Sequence, residues 1–133
     1  TTEAGLIPYY SKIDTIDLFG LNTKEFAKKP ADGSVFSKNK FDIIIINSSL
    51  SGNNCNTLSQ TIDKSKRSHN KSSNRNDDWD KFTFKLFGGI DLEKYDAYFL
   101  KYPTNIFVNK KSKSYSEITK VVNNKKILKC SSN

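Results

Sequence analysis

The chain has 133 residues, of which 35% are hydrophobic and 12% aromatic. This length predicts one domain, and the low apolar content predicts a small core built largely from Phe and Tyr. No apolar run reaches the roughly 20 residues that a transmembrane helix needs. Lys and Arg outnumber Asp and Glu by 22 to 14, a net charge of +8, which favours contact with phosphate groups. The sequence has no methionine, so we interpret it as a fragment or a processed product.

The basic residues are spread among Asn and Ser, without the interleaved aromatic residues of a base-stacking surface. They are explained most simply as a solvated surface. Contact with an anionic membrane surface is the second interpretation, and nucleic acid is the least favoured. The pairs Lys28-Lys29, Lys110-Lys111 and Lys125-Lys126 are the candidates for contact with anionic lipid.

The first part of the chain, residues 1–47, alternates strand and helix patterns. We expect a short helical turn over 6–11, strands over 15–19 and 41–46, and a helix over 23–28. The apolar run within 41–46 predicts a strand that is buried on both faces. This alternation predicts an α/β domain with a mixed sheet, in which some strands pair in parallel through right-handed crossovers.

The junction around Gly20 is specified in detail. Gly20 permits a sharp turn, Asn22 can cap the following helix, and Glu25 completes a capping box. Asp17 and Asn22 therefore lie at the C-terminal end of a predicted strand, where open α/β sheets bind ligands.

The second and third parts differ sharply in composition. Residues 48–78 are rich in Ser, Asn and Lys, and we expect a mobile loop inserted into a single domain that spans 1–133. Beyond this loop, the spacing of Trp79, Phe82, Leu86 and Phe87 predicts a helix that ends at Gly88-Gly89. A hairpin follows, with strands over 95–101 and 105–110, and then a helix opened by a capping box at Ser114 and Glu117 that buries Tyr115, Ile118 and Val122.

Few residues have the types and spacing that catalysis requires. His69 is the only histidine, and nucleotide-binding and hydrolase motifs are lacking. We therefore predict no catalytic residue, no metal site and no cofactor. The carboxylates Asp77, Asp78 and Asp80 are explained by their position at the start of a helix, where negative charge is favourable.

Three segments carry a family resemblance: TTEAGLIPYYS, IDLFGLNTKEFAKK and KFDIIII. Together they resemble the soluble domain that follows the transmembrane helices in bacterial membrane glycosyltransferases of the arabinosyl and mannosyl type. The resemblance covers about the first 50 residues, and Phe41 stands where the family tends to have proline before the aspartate.

This resemblance implies a non-catalytic extracytoplasmic domain, on the periplasmic face of the cell membrane. Its parent chain would transfer sugar from a polyprenyl-phosphate donor, and the domain would position the acceptor glycan or cover the active site. Its partners would be the transmembrane part of the same chain and a lipid-linked sugar or glycan acceptor. The candidate binding residues are Glu3, Tyr9, Tyr10, Asp17 and Asn22. For these residues, structural hydrogen bonds and core packing are the alternatives.

The two cysteines, Cys55 and Cys130, lie 75 residues apart, without zinc-ligand spacing. They form either a disulfide or a pair of free thiols. The polar surroundings of both cysteines and the extracytoplasmic location that the resemblance implies favour the disulfide.

Two other functions compete with the glycosyltransferase domain. A free-standing basic module would bind an anionic polymer or a membrane surface, with an affinity that falls steeply with salt. A small hydrolase would need Glu3, Asp14 or Asp17 to have a raised pKa in a cleft.

Overall fold

The computed structural model describes residues 1–2, 14–19, 23–52, 54–67, 78–101 and 103–130. In these ranges the chain forms four α-helices, which are α1 (Val35–Lys38), α2 (Cys55–Arg67), α3 (Asp78–Gly88) and α4 (Tyr115–Asn124). It also forms four strands, which are β1 (Ile43–Asn47), β2 (Tyr95–Lys101), β3 (Thr104–Asn109) and β4 (Leu128–Cys130). Short 3₁₀ turns occur at Lys24–Phe26 and Ser49–Ser51. The predicted class, a small α/β domain, is confirmed.

The four strands form one sheet in the order β1-β3-β2-β4. All three pairs are antiparallel, so the expectation of parallel pairs in a mixed sheet is wrong for this sheet. The reason lies in the hairpin. β1 and β2 run in the same direction and are connected through α2 and α3, but β3 folds back beside β2 and occupies the place between them.

Helices cover both faces of the sheet. On one face, α2 and α3 pack over a core that includes Ile44, Ile46, Tyr95 and Phe107. On the other face, α4 covers a smaller cluster made by Tyr98, Val108 and Val122. β1 is buried on one side only, because Ile43 and Ile45 are half-buried, which corrects the prediction of a strand buried on both faces.

The N-terminal segment is less regular than its sequence suggests. Residues 15–19 form no strand, and the helix expected over 23–28 is a 3₁₀ turn at Lys24–Phe26. The backbone here makes isolated hydrogen bonds instead of a ladder, since Leu18 N donates to Thr1 O and Ala31 N donates to Leu18 O. The helical turn expected over 6–11 lies outside the described residues.

The segment 48–78, expected to be a loop, contains the longest of the described helices, α2. Its N-terminus is capped by Asn54, whose Oδ1 accepts a hydrogen bond from Thr57 N at 3.0 Å. Leu58 and Ile62 lie one turn apart and are fully buried in the main core. Burial of these two side chains therefore stabilises the helix, although its overall composition is polar.

The third part of the chain folds largely as predicted. α3 spans the expected helix and ends at Gly88, and β2 and β3 form the expected antiparallel hairpin. α4 also forms, with Val122 buried and with Tyr115 and Ile118 only half-buried. The predicted capping box is wrong in detail, because the Ser114 side chain makes no cap hydrogen bond.

Candidate functional site

Among the predicted binding residues, Asp17 lies within the described part of the chain, whereas Glu3, Tyr9, Tyr10 and Asn22 lie outside it. Asp17 is buried, with 2% of its surface exposed. Its carboxylate accepts a hydrogen bond from Phe19 N at 3.0 Å, and its own N–H donates to Thr23 Oγ1 at 2.8 Å. These contacts hold the turn after residue 17 in one conformation.

The backbone before this turn lies beside the C-terminal half of β1. Thr2 N donates to Ile45 O at 3.1 Å, and Asn47 N donates to Thr2 Oγ1 at 3.0 Å. Thr1 in turn accepts from Leu18 N. Thr2 of the first resemblance segment is therefore attached to the end of β1, and Leu18 of the second segment is attached to Thr1.

Polar side chains converge at that end of β1. Asn47 Oδ1 accepts a hydrogen bond from Thr104 Oγ1 at 2.6 Å, and Asn47 O accepts from the indole of Trp79 at 3.3 Å. Beside them, Ser49 Oγ donates to Asp80 Oδ1 at 3.2 Å. We call these five residues, Asn47, Ser49, Trp79, Asp80 and Thr104, the β1-end cluster.

An aromatic group joins the turn at Asp17 to the β1-end cluster. The ring centroids of Phe19 and Trp79 lie 5.1 Å apart, and those of Trp79 and Phe82 lie 5.6 Å apart. The cluster thus combines a half-buried indole with hydroxyl, amide and carboxylate groups. A sugar has apolar C–H faces, which pack on aromatic rings, and hydroxyl groups, which form hydrogen bonds with polar side chains. The cluster contains both kinds of protein group.

Sequence reasoning did not find the β1-end cluster. It assigned Trp79 to the buried face of a helix and Asp80 to a favourable helix N-terminus. A signal was present, because Trp79 is the only tryptophan of the chain and carboxylates flank it on both sides. That signal could not reveal Asn47 and Thr104, which reach the cluster only through the pairing of β1 with β3.

The two cysteines are joined by a disulfide in the structure, with their Cα atoms 5.1 Å apart. The bond links the first residue of α2 to the last residue of β4. Cys130 is buried in the main core, and its strand pairs with β2 through Ala97. The disulfide therefore attaches a three-residue edge strand to the helical layer.

A second polar centre lies under α4, around Asp96 of β2. The Tyr115 hydroxyl and the Lys129 ammonium both donate hydrogen bonds to its carboxylate, the latter at 2.8 Å, and Lys110 Nζ lies 3.7 Å away. Partial burial raises the pKa of Asp96, but the hydrogen bonds from Lys129 and Tyr115 outweigh it, and the pKa is lowered overall. The same hydrogen bonds raise the pKa of Tyr115 and of Lys129.

The described ranges contain no group of three or more His, Cys, Asp or Glu side chains that could hold a metal ion. His69 lies outside these ranges. None of the described helices is long and apolar enough to cross a bilayer.

The chain was compared with curated proteins, solved structures and protein-family models. No curated protein and no solved structure matches the chain. The model of one protein family, described as "Domain of unknown function (DUF8728)", matches residues 1–118. This match includes the N-terminal segments, α2, α3 and the hairpin, and it ends within α4. The chain therefore belongs to the DUF8728 domain family.

Proposed function

We propose that this domain is a non-catalytic extracytoplasmic part of a bacterial membrane glycosyltransferase, where it positions the acceptor glycan or covers the active site. The observation that carries the proposal is the β1-end cluster. It combines an indole with hydroxyl, amide and carboxylate groups, and it is in contact with Phe19, which lies in the second resemblance segment. In this role Trp79 offers an apolar surface to the glycan, and Asp80 accepts hydrogen bonds from its hydroxyls.

The disulfide also supports the proposal. Disulfides persist in oxidising compartments such as the periplasm and are rare in the cytosol. A bond between Cys55 and Cys130 is therefore compatible with an extracytoplasmic location. The candidates named from the resemblance, Glu3, Tyr9, Tyr10 and Asn22, remain part of the proposed binding surface.

The first test is the coding sequence upstream of Thr1, measured for hydropathy in a 19-residue window. Several apolar spans that end shortly before Thr1 are expected. A start codon or a secretory signal peptide at that point would rule out the glycosyltransferase domain. This test requires no assumption about which residues bind.

The second test measures glycan transfer by the full-length parent in native membranes, with Asp80→Asn as the variant. We expect a roughly 10-fold rise in KM for the acceptor, because a charged hydrogen bond to the ligand is lost. Asp78→Asn is the matched control, since it removes a carboxylate from the same helical turn at a side chain that is 99% exposed. Equal KM values for the two variants would exclude Asp80 from acceptor binding.

A second candidate function, a free-standing basic module, is favoured by the charge distribution. Residues 97–133 carry eight lysines and one glutamate, so this quarter of the chain holds +7 of the net charge of +8. The module would bind an anionic polymer or a membrane surface. Binding to dextran sulfate and to phosphatidylglycerol vesicles should weaken steeply with salt, and salt-independent binding would contradict this function.

A further inference from the structure

The basic quarter of the chain, residues 97–133, includes α4 and parts of the sheet. Its lysines are at positions 101, 110, 111, 113, 120, 125, 126 and 129, and all eight are exposed. Lys110 and Lys129 interact with Asp96. The other six form no ion pair with any described carboxylate. Their charges are therefore available to an external anion.

α4 and the turns on either side of it carry several of these lysines. Tyr115, Ile118 and Val122 recur at intervals of three and four residues and pack towards the sheet. Glu117, Lys120 and Val121 of the same helix are exposed. The helix is about 15 Å long, with Lys111 and Lys113 before its first turn and Lys125 after its last. We call Lys111, Lys113, Lys120, Val121 and Lys125, which are exposed on α4 or in the turns beside it, the α4 face.

The position of α4 on the sheet is held at both ends. At the N-terminal end, the Tyr115 hydroxyl donates to the Asp96 carboxylate of β2. At the C-terminal end, Ile127 N donates to Val122 O, and Lys129 of the next strand reaches the same carboxylate. Because both ends are held, the backbone that carries these lysines needs little further ordering on binding.

The exposed apolar side chains of this region favour a lipid bilayer over a nucleic acid as the ligand. Among the described residues, the exposed large hydrophobic side chains are Leu100, Val121 and Leu128, all within the basic quarter. Val121, which belongs to the α4 face, is 60% exposed. Aliphatic side chains enter the headgroup region of a bilayer, whereas recognition of single-stranded nucleic acid relies on exposed aromatic rings.

We infer that the α4 face binds the surface of an anionic lipid bilayer, with its four lysines at the phosphates and Val121 at the boundary with the acyl chains. This inference rests on the second candidate function, for which it names the surface and the ligand. It is equally compatible with a domain attached to a membrane enzyme. Each lysine near an anionic surface contributes to the affinity, and the four together produce strong dependence on lipid charge and on salt.

The test is sedimentation of the 133-residue chain with large vesicles of phosphatidylcholine containing 0 or about 30% phosphatidylglycerol, a fraction chosen to give a strongly anionic surface. The variant changes Lys111, Lys113, Lys120 and Lys125 to Gln, which lowers the net charge from +8 to +4. We expect its partition coefficient on anionic vesicles to fall by about 100-fold or more. Val121→Ser should weaken binding that remains at high salt.

The matched control changes Lys24, Lys28, Lys29 and Lys38 to Gln, with the same loss of four charges. These lysines are exposed in segments that pack on the main core, across the sheet from α4. The control should retain most of the binding of the unmodified chain. Equal decreases in the partition coefficients of the two variants would overturn the assignment of the α4 face, but they would remain consistent with a basic module.

Two other results would also overturn the inference. If the unmodified chain binds dextran sulfate or single-stranded DNA but not anionic vesicles, the surface serves a soluble polyanion. If it binds none of these probes, both the α4 face and the basic module are excluded. Neither result bears on glycan transfer by a parent enzyme. Circular dichroism and thermal unfolding of each variant ensure that only folded protein is compared.

Discussion

The backbones of Gly33 and Gly89 lie so close together that neither position has room for a side chain. A Cβ atom on Gly89 would lie 2.0 Å from the carbonyl oxygen of Gly33, and one on Gly33 would lie 2.6 Å from Gly89 N. This contact joins the segment before α1 to the end of α3. The close approach explains why position 89 is a glycine, which the sequence pattern explained only as the end of a helix.

Replacement of Gly89 by alanine should therefore destabilise the domain by about 1 to 3 kcal/mol, because backbone atoms must move apart. The measurement is the free energy of unfolding in urea. Gly88→Ala is the control, since its added Cβ would make contacts of 3.4 Å or more, with Ser65. That variant should have nearly unchanged stability, and equal effects of the two substitutions would contradict the close approach.

The hydroxyl groups of two tyrosines should contribute very differently to stability. Tyr115 donates to the Asp96 carboxylate, and Tyr115→Phe should lower the free energy of unfolding by about 1 to 2 kcal/mol. The Tyr95 hydroxyl is buried and has no partner within the described structure. Tyr95→Phe should therefore be neutral or stabilising, since an unpaired polar group is removed from the core. Urea unfolding of both variants tests this contrast, which a loss from Tyr95→Phe as large as that from Tyr115→Phe would refute.

Acid should weaken the attachment of α4 through Asp96. Partial burial raises the pKa of this carboxylate, but the hydrogen bonds from Lys129 and Tyr115 dominate and lower it below the unfolded value of about 3.9. As the pH falls, the carboxylate of the unfolded chain is therefore protonated first. The stability that the ionised Asp96 contributes is fully present above the unfolded-state pKa and is lost as the pH falls through the folded-state pKa. Wild type should lose more stability than Asp96→Asn between about pH 5 and pH 2.

This difference is measured by urea unfolding at a series of pH values. Asp63→Asn, at an exposed position of α2, controls for the change in net charge. If the stability difference between wild type and Asp96→Asn stays constant from pH 7 to pH 2, the carboxylate is not stabilised by its neighbours.

Loss of the disulfide should cost about 4 kcal/mol in the chain-entropy model, because the bond closes a loop of 75 residues. We expect the double variant Cys55→Ala, Cys130→Ala to unfold at lower urea concentration than the oxidised chain. Hydrogen exchange at Phe99 and Ala97 should also accelerate, since β4 loses its attachment to α2. Peptide mapping before and after reduction identifies the bond, and equal stability of the oxidised chain and the variant would contradict its structural role.

Elements whose signals are local could be predicted from the sequence. The hairpin of β2 and β3 follows from two strand-forming runs around a tight turn, and α3 follows from the spacing of Trp79, Phe82, Leu86 and Phe87. Both depend on neighbours within a few residues, so propensity and periodicity are sufficient to predict them. The α/β class is predicted from the alternation of patterns in residues 1–47, of which β1 forms but the strand over 15–19 and the helix over 23–28 do not.

By contrast, α2, the order of the strands and the β1-end cluster depend on contacts between residues that are distant in the sequence. The composition of α2 is polar, and its helix is stable because Leu58 and Ile62 are buried against distant residues. The place of β3 between β1 and β2, which makes the sheet antiparallel, depends on the pairing of β1 with a strand that is distant in the sequence. The same pairing brings Asn47 beside Thr104, 57 residues later in the sequence, and no local pattern encodes a contact at that separation.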